Sequence, residues 1–223
     1  MPTWYDAFGA EYNASNSNYT DQSQNNPTAV SGGGIHSVDV HNDQSNATSQ
    51  QADAGSLGYH SPGFSSFADA SNYNETHQSQ SNPTLVFGNH IGSVDVTNNQ
   101  SNETYQQADA GSGGHDLHGP SFAGASNFNF TSQSQNDPTL VFGGSGGGGG
   151  VGHVDVHNDQ SNATFQSADA GSGGHSPFAG ASNFNFTTQV QADPTIVIGD
   201  HIGSVDVHNS QSNVTEQLAL AHH

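Results

Sequence analysis

One five-residue phrase, Asn-x-Thr-x-Gln, is written eight times in this 223-residue chain. It stands at Asn18-Thr20-Gln22, Asn46-Thr48-Gln50, Asn74-Thr76-Gln78 and Asn102-Thr104-Gln106. It returns at Asn129-Thr131-Gln133, Asn162-Thr164-Gln166, Asn185-Thr187-Gln189 and Asn213-Thr215-Gln217. Successive motif asparagines are 28, 28, 28, 27, 33, 23 and 28 residues apart. Self-similarity at a near-constant period is the mark of one supersecondary unit copied and stacked on itself.

The copies group into units of about 55 residues, each made of two half-repeats. A first half reads "SNFNFTSQSQNDPTLVFG" (126–143) and a second half "VDVHNDQSNATFQSADAG" (154–171). This divides the chain into an N-terminal segment, 1–16, and four repeats at 17–70, 71–125, 126–181 and 182–223, the last with a C-terminal tail. The odd spacings mark the turns. The interval of 33 comes from the run "GGSGGGGGVGH" and that of 23 from a shortened "SGGHSPFAGA". Length changes are tolerated in surface loops and not within paired strands.

Alternation identifies the half-repeats as strands. In residues 38–54 one parity reads Val38, Val40, Asn42, Gln44, Asn46, Thr48, Gln50, Ala52 and Ala54. The other reads Asp39, His41, Asp43, Ser45, Ala47, Ser49, Gln51 and Asp53. A period of two over that length is a β pattern. Because acidic groups avoid burial, the valine and amide face points inward. An amide-lined interior is costly when its polar groups are unpaired. Identical copies stacked in register remove that cost, since Asn and Gln side chains then bond along ladders. The expected fold is all-β: a repeat β-solenoid or cross-β stack, with the eight motifs as structural ladders.

Composition sets the boundaries of function. An apolar fraction of 30% is too low for a conventional core and by itself reads as disorder. The formal charge is −20 with no Lys or Arg, which removes nucleic acid as a partner. No apolar stretch approaches membrane-spanning length, so membrane insertion is not expected. Cys is absent, so there are no disulfides. The N-terminal "MPTWYDAFGAEY" has no secretory signal pattern, and a chain without Lys or Arg gives trypsin nothing to cut, which suits extracellular life.

Three features have competing readings. The eight Asn-x-Thr sites are formal glycosylation acceptors, but an inward asparagine is closed to a transferase. Asp39-His41-Asp43 and Asp155-His157-Asp159 fall on the outward face, where stacked carboxylates and imidazoles are candidate ligands for divalent cations such as calcium; the plain alternative is a solvated acidic face. The first halves place Phe128, Phe130, Leu140 and Phe142 opposite the ladder residues, an apolar stripe that a terminal segment, a loop or another subunit should cover. No catalytic constellation interrupts the repetition, so an enzyme is not expected, and no cofactor is required.

The segment "SVDVHNDQSNATSQ" (37–50), with its opening Ser, alternating aliphatics and internal Gln and Asn, resembles the strand-turn-strand repeats of the curlins, the bacterial curli subunits. It differs in carrying Asn-x-Gln-Ser-Asn where curlins have Gln-x-Gly-x-x-Asn. The resemblance implies a self-assembling extracellular fibre subunit, such as a biofilm matrix or cell-surface filament, whose main partner is itself. Matrix polysaccharide and cations are the candidate further partners. The alternatives are a monomeric solenoid that binds ice or another surface through threonine rows, and an acidic cation-binding surface protein.

Overall fold

A computed structural model describes residues 11–57, 66–113, 120–144, 149–173 and 176–222. Twelve strands run through them in chain order. They are β1 (Glu11–Gln24), β2 (Thr28–Gly32), β3 (Ile35–Leu57), β4 (Ser66–Gln80), β5 (Thr84–Gly88) and β6 (His90–Gly113). The second six are β7 (Pro120–Gln135), β8 (Thr139–Gly143), β9 (Gly150–Ser172), β10 (Ser176–Gln191), β11 (Thr195–Ile198) and β12 (Ile202–His222).

Three consecutive strands make one rung, and four rungs stack into a β-solenoid with three parallel sheets. The first sheet has the order β1-β4-β7-β10, the second β2-β5-β8-β11 and the third β3-β6-β9-β12. Pairing is in register, motif on motif: Asn18 lies against Asn74, Asn74 against Asn129, and Asn129 against Asn185. The phase of the repeat is set by strands that start upstream of the motif, since β4 begins at Ser66 rather than Ser71.

Each first half-repeat holds two strands instead of one. The break falls at Asn26-Pro27, Asn82-Pro83, Asp137-Pro138 and Asp193-Pro194. Proline has no N–H for the ladder and holds the preceding residue extended, so the chain bends there between the first and second sheets. The corner is tied vertically by the residue before each proline. Asn26 N–H donates to Asn82 Oδ1 at 2.8 Å, Asn82 N–H to Asp137 Oδ1 at 2.5 Å, and Asp137 N–H to Asp193 Oδ1 at 2.6 Å.

The interior has three zones. At the corner between the second and third sheets Val38, Val40, Val94, Val96, Val154 and Val156 cluster with Val86, Val141, Ile91 and Val151. At the other end alanines of the first and third sheets meet, Ala68, Ala70, Ala123 and Ala125 against Ala52, Ala54, Ala108, Ala110, Ala168 and Ala170. Small side chains let the two backbones approach closely there. Between these apolar ends lies the amide zone, where Asn74, Thr76, Thr104, Gln106, Asn129 and Thr131 have no exposed surface.

Candidate functional site: the two ends of the column

The amide rows run continuously through all four rungs, and each has a direction. In the first sheet Asn18 Nδ2 donates to Asn74 Oδ1 at 2.9 Å, Asn74 to Asn129 at 2.7 Å and Asn129 to Asn185 at 2.7 Å. In the third, Asn46 donates to Asn102 at 2.8 Å, Asn102 to Asn162 at 2.7 Å and Asn162 to Asn213 at 2.8 Å. Glutamines donate the opposite way. Gln78 Nε2 reaches Gln22 Oε1 at 3.0 Å, Gln133 reaches Gln78 at 2.8 Å and Gln189 reaches Gln133 at 2.9 Å. Gln106 reaches Gln50 at 2.8 Å, Gln166 reaches Gln106 at 2.8 Å and Gln217 reaches Gln166 at 2.5 Å.

Backbone carbonyls fix the glutamine polarity. Gln106 Nε2 also donates to the Phe128 carbonyl at 3.1 Å and Gln166 Nε2 to the Phe184 carbonyl at 3.0 Å; a carbonyl only accepts, so that end of the amide is the NH2. The threonines bridge the sheets. Thr48, Thr104, Thr131, Thr164, Thr187 and Thr215 each accept from an asparagine of the opposite sheet at 2.9–3.4 Å. Thr20 and Thr76 accept from Asn18 and Asn74 on their own strands at 3.2 Å.

Four further rows share the parity of the motif but lie outside its five residues. Asn16-Asn72-Asn127-Asn183, Asn42-Asn98-Asn158-Asn209 and Gln44-Gln100-Gln160-Gln211 are ladders of the same kind. In the fourth, Gln80, Gln135 and Gln191 donate to carbonyls of Asn42, Asn98 and Asn158 across the interior. Parity already places Asn42 and Gln44 on the inward face in the sequence, and the same signal extends to Asn16 and Gln80.

The rows stop at two open ends. On the fourth rung, β12 is exposed along its whole length. There the Oε1 atoms of Gln189 and Gln217 and the amide groups of Asn185 and Asn213 face outward, with no amide of the described residues laddered beyond them. The first rung offers the complement: Oδ1 of Asn18 and Asn46, and Nε2 of Gln22 and Gln50. A cleft of about 580 Å³ opens on that end, lined by polar residues that include Asn16, Asn18, Thr20, Asn46, Thr48 and Gln50.

The outward face of the third sheet carries the Asp and His residues. Asp39, Asp95, Asp155 and Asp206 form one row. His41, His157 and His208 pair with the aspartate two residues earlier, at 2.9, 3.0 and 3.2 Å. His157 and His208 stack with centroids 4.8 Å apart. Thr97, Asn99 and Ser210 interrupt the rows, and Asn99 Nδ2 donates to Asp43 Oδ1 at 2.9 Å. Among the described residues no three or more His, Cys, Asp or Glu are gathered as a metal site. Further along the same face Asp109 is pushed above the usual carboxylate range, by burial first and then by Asp169 and Asp53 in the rungs on either side.

On the first two sheets the outward face is aromatic. Tyr73 stacks on Phe128 at 5.1 Å and Phe128 on Phe184 at 4.8 Å; Phe130 on Phe186 and Phe87 on Phe142 repeat this at 5.3 and 4.9 Å. Tyr73 and Phe87 are each 42% exposed, so nothing within the described residues covers the stripe. No helix among those residues is long and apolar enough to cross a membrane. A scan against family models gives no match, and comparisons with curated proteins and with solved structures give none either.

Proposed function

We propose that this chain is the subunit of a self-assembling structural fibre that grows by end-to-end stacking of its rungs. The observation that carries the proposal is the complementarity of the two ends. Asparagine donors on the fourth rung meet asparagine oxygens on the first rung of the next copy, and glutamine oxygens meet glutamine donors. The inward sequences match position for position: Asn185, Thr187, Gln189 and Gln191 repeat Asn18, Thr20, Gln22 and Gln24. Parallel edges as long as β3 and β12, 23 and 21 residues, also template further strands unless something blocks them.

The role is structural and non-catalytic, an extracellular matrix or cell-surface filament of the kind that the curlin resemblance implies. With 20 acidic residues and no fixed cation, the fibre takes up counter-ions along its outer acidic rows, calcium among them. The surface-binding alternative needs outward threonine rows, and the motif threonines Thr76, Thr104, Thr131 and Thr164 are wholly buried.

Negative-stain imaging and sedimentation of the purified protein test the reading, with fibre diffraction showing the ~4.8 Å strand spacing on the meridian. Monomer that persists at every salt concentration and pH would overturn it.

A further inference from the structure

Most inward rows repeat the same residue from rung to rung, and one departure in the first rung bears on assembly. On the third sheet one row reads His36, Gly92, Gly152 and Gly203, between the paired rows that start at Ile35 and Ser37. A Cβ on Gly92 would meet the His36 carbonyl oxygen at 2.3 Å. On Gly152 it would meet the Gly92 oxygen at 2.4 Å, and on Gly203 the Gly152 oxygen at 2.2 Å. These contacts are with backbone, which cannot swing aside, so the row demands glycine wherever a rung lies beneath. His36 escapes the demand because none of the described strands lies beneath the first rung.

In an end-to-end fibre that exemption ends. The fourth rung of the preceding copy lies beneath His36, and the His36 Cβ meets the Gly203 carbonyl oxygen as the glycine positions would meet theirs. We propose that His36 is a built-in brake on assembly: its Cβ makes the join between two copies less favourable than the joins between rungs inside one. Tyr12 points the same way, standing in a row otherwise filled by Ala68, Ala123 and Ala179. A weaker join keeps soluble chains from polymerising until their concentration is high, and makes the fibre divide at subunit boundaries rather than within a subunit.

The inference rests on the end-to-end reading and is tested apart from it. The soluble concentration left when assembly reaches its plateau is measured for the wild-type chain, His36→Gly and His36→Ala. The glycine variant should leave about tenfold less protein in solution. The alanine variant keeps the Cβ and should behave as wild type. Wild type and His36→Gly assembling alike would overturn the brake alone, as would His36→Ala matching His36→Gly, because the ring and not the Cβ would then be at fault. Failure of both wild type and His36→Gly to assemble would overturn the end-to-end reading and the brake with it. Gly152→Ala calibrates the contact inside one chain, and an unchanged melting temperature there would sink the steric argument.

Discussion

Gln166 is held from three directions. Its Nε2 donates to Gln106 Oε1 and to the Phe184 carbonyl, and its Oε1 accepts from Gln217. Gln166→Leu therefore strands partners on both neighbouring rungs, each buried polar group left alone costing about 1–3 kcal/mol. Chemical denaturation should show a loss of roughly 2 kcal/mol or more, and less than half of that for Gln217→Leu at the exposed end. Asp137 differs in kind. It is 1% exposed, its Oδ2 has no partner among the described residues, and burial, reinforced by the Asp193 carboxylate one rung away, pushes its pKa up to about 6. The fold thus binds this proton more tightly than the unfolded chain does. Its contribution to stability is complete below about pH 4 and is lost as pH rises through 6, a fall of about 3 kcal/mol by neutrality. Asp193 is raised for the same reason and adds to the slope. Asp137→Asn installs the residue found at this place in the first two rungs, and melting curves from pH 4 to 7 should flatten and rise at the neutral end. Neither residue was legible as special in the sequence: an acid before proline reads as turn chemistry, and only the stack reveals that it faces in.

The elements were legible to different depths, for reasons that individual strands make plain. In β3 the alternation of Val38, Val40, Asn42 and Gln44 with Asp39, His41 and Asp43 assigns both faces of that stretch, because between 38 and 44 every charged residue takes the parity opposite the valines. The corner after β1 was hidden by the same rule. Gln24, Asn26, Thr28 and Val30 keep one parity across Pro27, so a period-two pattern passes through the bend unbroken while the chain changes sheet. Proline was the available signal, since it has no place inside a paired strand. The aromatic stripe was read correctly as outward, but its internal order was not, because ring stacking follows rung spacing and no sequence pattern encodes it. Phe128 lies between Tyr73 and Phe184. Phe128→Ser should cost about 1 kcal/mol or less in thermal denaturation, because an outward ring loses stacking without leaving a cavity.

For the whole molecule, the ladder bonds that hold rung to rung join residues 51–60 apart in sequence. Nothing local nucleates such a fold, so refolding from denaturant should be slow for a chain of this size, and a stopped-flow time course checks it. Copies stacked end to end as proposed should show two axial periods: the strand spacing, and a subunit repeat about four times longer, near 19 Å. The longer period is set by features that differ between rungs, among them the stacked phenylalanines of the third and fourth and the polar outer face of the first. Power spectra of aligned filaments should show both. Loss of the longer one would mean that copies join with slipped rungs.

The corner between β8 and β9 accommodates a glycine-rich run that its counterparts lack, yet the pairing on either side is unaltered: Asn98 reaches Asn158 across 60 residues at 2.8 Å, as Asn42 reaches Asn98 across 56 at 2.9 Å. Length at that corner is decoupled from alignment within the sheets. A segment of another length in place of the glycines should therefore leave the melting temperature unchanged.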